Sequence, residues 1–181
     1  MCKLEVLETK SLQFLQEEGL IMTEKKWTSA VGKQGRVVAA RIEPGNDAIN
    51  SIIELIKENG FKSGMVTGIG SLNSATVIWG RTTDLTGPRE EVIVTYTMQG
   101  PVDLGIGWGM FGTEEDGNII LHFHAIVMDK EGNMRCGNLQ PGSAPVMATL
   151  DIIIRELVEL EIIPTLDLAL NNKFLHPHNV S

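Results

Sequence analysis

From Asn118 to Leu139 the chain reads NIILHFHAIVMDKEGNMRCGNL, and no other stretch limits the possible folds as much. An apolar run long enough for a buried strand passes through a polar turn, Asp129-Lys130-Glu131-Gly132-Asn133, and resumes toward Cys136-Gly137-Asn138-Leu139. A strand that turns and returns needs a sheet around it. Side chains on a strand alternate faces, so His122 and His124 point one way while Leu121, Phe123 and Ala125 point the other. With Cα atoms roughly 6.5 to 7 Å apart, both imidazoles can converge on one ion or one ligand. Imidazoles placed in an apolar strand need hydrogen-bond partners or something to bind. The pair is therefore the first candidate site.

The rest of the chain supplies a sheet and one helix. RVVAARI (36–42) is β-branched and ends at the turn signal Glu43-Pro44-Gly45. Asn46 or Asp47 can then cap a helix whose Ile49, Ile52, Ile53 and Ile56 form one apolar stripe, with Asn59-Gly60 as its stop. Gly68-Ile69-Gly70 lies between two strand-like runs with no helix pattern after it, which argues against a dinucleotide loop and for a glycine bend. Thr83 to Pro88 reads as a turn, and EVIVTYTM (91–98) as a strand that Gly100-Pro101 breaks. In VDLGIGWGMFG (102–112), Gly105, Gly107 and Gly109 are expected on one strand face, leaving room for another backbone or a ligand. Val146 to Arg155 has a period of two and reads as strand, while IRELVELEII fits a helix from Arg155 equally well. Residues 4–18 suggest a short helix stopped by Gly19, and residues 169–181 a tail with little core potential. The expected class is α+β: about six or seven mostly antiparallel or mixed strands with one main helix on a face. The expected divisions are an extension at 1–35, a domain at 36–168 and a tail at 169–181.

Fifteen basic against twenty-three acidic residues give a formal net charge of −8, with Lys and Arg scattered along the chain. That balance disfavours nonspecific binding to a phosphate backbone. The two cysteines, Cys2 and Cys136, suggest no disulfide framework, and no apolar run reaches signal-peptide or membrane-spanning length. A cytoplasmic protein without a membrane partner is expected.

The order of motifs resembles the plants-and-prokaryotes conserved (PPC) domain family, a domain of unknown function often labelled DNA-binding. The resemblance runs from about Arg36 to Asp167 and rests on RIEPGND before the helix, GIGSLNSATV after it, DLGIGWG, and above all HFHAIVMDKEGNMRCGNL. It implies a homotrimer with the histidine pair near subunit boundaries, and in several prokaryotic members a metal there, zinc or another divalent ion, on His122 and His124. Such members carry G-G-H-L in the return segment; here Asn138 stands where the third histidine would be. A neutral amide is a poor zinc ligand, so another donor is required: Asp103, Asp151, Cys136, or His176 and His178 folding back. The arginine-glycine-proline minor-groove motif of plant members does not occur in this sequence.

His122, His124, Asn138, Asp103 and Cys136 are thus the candidate ligand-binding residues, and His122 and His124 the candidate metal ligands. The favoured reading is a self-associating domain of regulatory or interaction type that binds a small ligand or metal at an inter-subunit site. Two other classes stay open. A small metal-assisted enzyme would use one histidine to shuttle protons, oriented by Asp103 or Asp151, each of which could instead pair with an arginine such as Arg155. A DNA-associated protein would need a basic face built across the trimer.

Overall fold

A computed structural model describes residues 27–82, 87–167 and 172–180. The helix expected within 4–18, and most of the turn expected at 83–88, lie outside them. The elements run β1 (Lys33–Ile42), α1 (Ala48–Glu58), β2 (Gly64–Gly80), α2 (Arg89–Val92), β3 (Ile93–Thr113), β4 (Ile119–Asp129), β5 (Met134–Leu139), β6 (Val146–Val158), β7 (Leu160–Asp167) and β8 (Asn172–Asn179). Six strands form one antiparallel sheet in the order β1-β6-β2-β3-β4-β5, and β5 also pairs with the far half of β2. That second pairing closes the sheet on itself around β2, β3, β4 and β5. Strands β7 and β8 form a separate hairpin.

The helix forms where its stripe predicts. Asp47 is extended and accepts from the Asn50 N–H at 3.0 Å through Oδ1, while its Oδ2 accepts from the Ala144 N–H at 2.9 Å. The cap thus ties the helix start to the approach of β6. At the other end Gly60 takes φ +67°, a left-handed conformation in which only glycine is unstrained. Ile49, Ile52 and Ile56 are buried in one core with Phe111, Phe123, Val127, Ile152 and Ile154. Helix α1 therefore covers one sheet face only, as a single apolar stripe requires.

Several local expectations are corrected. The run around Gly68-Gly70 does not bend between two strands; β2 is continuous, with register shifts at Gly68/Gly70 and Leu72/Ser74. A Cβ on Gly70 would strike the backbone of Thr149 and Leu150, so glycine serves close approach to β6. Nor does Gly100-Pro101 end a strand, because β3 continues through it, through a cis peptide bond, to Thr113. It begins at Ile93 rather than Glu91, after the helical turn α2.

Gly105, Gly107 and Gly109 do not share a face, because a register shift between Leu104 and Ile106 turns Gly105 outward while the other two stay buried. Their space is taken from within: a side chain on Gly107 would collide with the Phe123 ring. The ambiguous IRELVELEII is strand throughout except at Glu159, whose φ of 64° breaks β6 from β7. Residues 172–179, expected to be a tail, return along β7 as β8.

Candidate functional site

β4 places the histidine pair. Its odd-numbered residues Phe123, Ala125 and Val127 are buried under α1, and its even-numbered residues His122, His124, Ile126 and Met128 are exposed on the opposite face. The two imidazoles do share a face, but they are not enclosed by the core of the chain that carries them. Their ring centroids are 4.7 Å apart with planes tilted by 49°. Neither ring is hydrogen-bonded to another described residue. His122 is held below the ordinary imidazole pKa, chiefly by partial burial and further by the neighbouring His124.

The antiparallel register carries this site across the sheet. Side chains at Ala39, Ile153, Thr67, Trp108, His124 and Asn138 stand in one row from β1 to β5. The neighbouring row joins Arg41, Asp151 and Ile69 on one side of the β3 bulge to Ile106, Ile126 and Cys136 on the other. These rows mix an Arg41–Asp151 ion pair and the polar His124 and Asn138 with large open apolar side chains: Ile69 is 58% exposed, Ile106 54% and Trp108 44%. A groove of about 740 Å³ runs between them, lined by Ala39, Thr67, Ile69, Ile106 and Ile153 together with the paired Arg41 and Asp151. Scattered surface aliphatics are ordinary in soluble proteins, but large ones gathered on one sheet face mark a candidate contact surface.

Asn138, the third expected site residue, does sit beside the pair. It stands opposite His124, and its Oδ1 accepts from the Phe123 N–H at 3.1 Å, between the two histidines. His122 and Asn138 also line a cleft of about 490 Å³ under the β7–β8 hairpin.

The remaining candidates lie apart. Asp103 is level with Met128, four residues along β4 from His124, or roughly 13 Å at strand rise. It shares a small depression with Asp151, Ser71 and Thr149. Asp151 is held by Arg41, not Arg155, with a bidentate contact at 2.7 and 3.2 Å that keeps its carboxyl below the usual range. Cys136 is exposed opposite Ile126, one row from His124. His176 and His178 lie on β8 opposite Ile163 and Glu161. Among the described residues, no three His, Cys, Asp or Glu side chains come together as a metal-holding group. Two imidazoles and an amide whose oxygen is already engaged fall short of a four-donor zinc set within one chain.

Trp108, Gln140 and Phe174 border the same region and were missed from sequence. The signal for Trp108 was present: if Gly107 and Gly109 face the core, Ile106, Trp108 and Met110 must face out. For Phe174 the signal is an aromatic-aliphatic pair, Phe174-Leu175, within residues that otherwise read as a tail.

The Plants and Prokaryotes Conserved (PCC) domain model matches residues 29–158. Among solved structures, a plant- and prokaryote-conserved (PPC) protein of Pyrococcus horikoshii superposes with a TM-score of 0.68 at 18% identity, covering 81% of this chain and 95% of the other. A metal-containing protein of Archaeoglobus fulgidus superposes at 0.69 and 17% identity, covering 83% and 99%. A protein of Bacteroides thetaiotaomicron described as a candidate for DNA binding gives 0.65 at 16%, covering 80% and 96%. A search of curated protein sequences gives no match.

Proposed function

The chain belongs to the Plants and Prokaryotes Conserved domain family, and on that footing we propose that it is a self-associating domain of regulatory or interaction type, trimeric as the resemblance implies, whose His122, His124 and Asn138 bind a small ligand or metal at the subunit boundary. The observation that carries this reading is the group of exposed large apolar side chains, Ile69, Ile106, Trp108 and Ile126, on the sheet face that also holds the histidine pair. Burial of such a face against copies of itself removes Trp108, Ile106 and Ile126 from water at roughly 25 cal/mol per Å². It also brings a neighbour's side chains to a pair that one chain leaves short of donors.

Sedimentation equilibrium tests the reading. The protein is expected to be an oligomer, and Ile106→Glu and Trp108→Glu are expected to reduce it to monomer with an unchanged circular dichroism spectrum. A monomeric parent protein at micromolar concentration would overturn it. Elemental analysis of the parent and of a His122→Ala/His124→Ala variant then sorts the ligand: near-stoichiometric metal lost in the variant assigns a metal completed by another subunit. An assembled, metal-free protein assigns an organic ligand or a purely structural pair.

The description of the Bacteroides relative suggests a DNA-associated role, which the net charge of −8 opposes. Binding to duplex DNA, if seen at low salt, is expected to vanish before physiological ionic strength. Affinity retained at about 0.15 M salt would reverse that judgement.

A further inference from the structure

The cleft under the β7–β8 hairpin has a chemistry of its own. Trp108 and Phe174 border it from different elements, β3 and β8. Its one lysine, Lys173, is paired with Glu114, and no carboxylate belongs to the lining. Nothing in it calls for a strongly charged ligand.

Two carboxamides define its polar edge, and their orientations follow from backbone partners. Asn138 accepts a backbone N–H through Oδ1, so the other atom of its amide must be the NH₂. Gln140 donates Nε2 to the Asn138 carbonyl at 3.2 Å, so its remaining atom must be the oxygen. Neither free end has a hydrogen-bond partner among the described residues, and neither is sealed from solvent. One donor and one acceptor, two residues apart, are thus left free on side chains that line the same cleft as Trp108 and Phe174.

We propose that this cleft binds a planar heterocycle through a lactam edge, the ring carbonyl accepting from Asn138 Nδ2 and the adjacent ring N–H donating to Gln140 Oε1. Trp108 and Phe174 hold the ring by its faces or edges. The proposal rests on the ligand-binding reading given above, and names the class of ligand for its His122–Asn138 corner.

The test follows the Trp108 indole N–H by ¹H–¹⁵N NMR of the full-length protein during titration with uracil, hypoxanthine and 1,3-dimethyluracil. Uracil and hypoxanthine are expected to shift it. 1,3-Dimethyluracil, which keeps the ring and lacks the N–H, is expected to bind about tenfold more weakly, the loss typical of one hydrogen bond left unmade in a closed site. Gln140→Leu is expected to abolish that discrimination, and Phe174→Ala to weaken uracil and 1,3-dimethyluracil alike. No shift at millimolar uracil, equal binding of the methylated ring, or discrimination that survives Gln140→Leu would each overturn the proposal. Sizing every variant separates the two readings: heterocycle binding by a monomer rejects self-association and keeps the cleft, whereas an intact oligomer blind to uracil rejects the cleft alone.

Discussion

Phe123, Ala125 and Val127 on one side of β4, and His122, His124 and Ile126 on the other, differ in how much of their surroundings a single chain supplies. The inner three are buried, packed under α1 and fitted to neighbouring strands down to the missing side chains of Gly107 and Gly109. The outer three are exposed: His124 and Ile126 stand in open rows beside Trp108 and Ile106, and His122 borders the cleft that β8 overhangs. Residues one position apart thus answer to different requirements, the inner set to the stability of the chain and the outer set to whatever the chain meets.

The largest expected effect lies on the inner side. Phe123→Ala should cost about 3–5 kcal/mol in urea unfolding, the usual range for a fully buried aromatic. Trp108→Ala, measured on dissociated protein, should cost well under half of that. Similar losses at the two positions would break the comparison, because the outer face would then be packed within one chain.

Gly107→Ala should follow, at about 1–3 kcal/mol, since its methyl group meets the Phe123 ring. Ring and glycine should also fail to add: in a Phe123→Leu background the penalty is expected to shrink, as a double-mutant cycle would reveal.

The smallest effect sharpens the outer side. His122 is held below its ordinary pKa, so the unfolded chain binds the proton more readily than the folded one. Stability from this group is complete above about pH 6.5 and is lost as the pH falls from there through the lowered folded value. His122→Gln should flatten that part of the profile. It should leave untouched the losses at lower pH from Asp151 and Asp129, whose carboxyls are held down by Arg41 and by Asn133 respectively.

The helix and the hairpin around the histidines were legible because each is a local pattern: a stripe of isoleucines with Asp47 before it and Gly60 after it, and alternation ending in a turn at Gly132. The outer rows were not, because register is a relation between strands. Nothing within β3 alone says that Trp108 will stand beside His124, or that a bulge after Leu104 will turn Gly105 away from Gly107. The glycines misled for the same reason. Gly70 and Gly100 look like bends in sequence, yet each lies where another strand's backbone comes close, against Thr149 and Asn73 respectively. The burial of the histidine pair was likewise inferred from apolar neighbours in sequence, when those neighbours alternate between two environments.

The edge pairing of β1 with β6 bears on how the molecule is made. Arg36 grips Glu156 from 120 positions away, and between them lies almost everything the sheet contains. β1 leaves the ribosome well before β6 and must wait for it, and loop closure on that scale slows folding more than it weakens the final state. During that wait β1 offers an unpaired edge, and its RVVAARI is the kind of strand that other chains can join. Until β6 arrives, that edge is the place where a second chain would compete with the native partner.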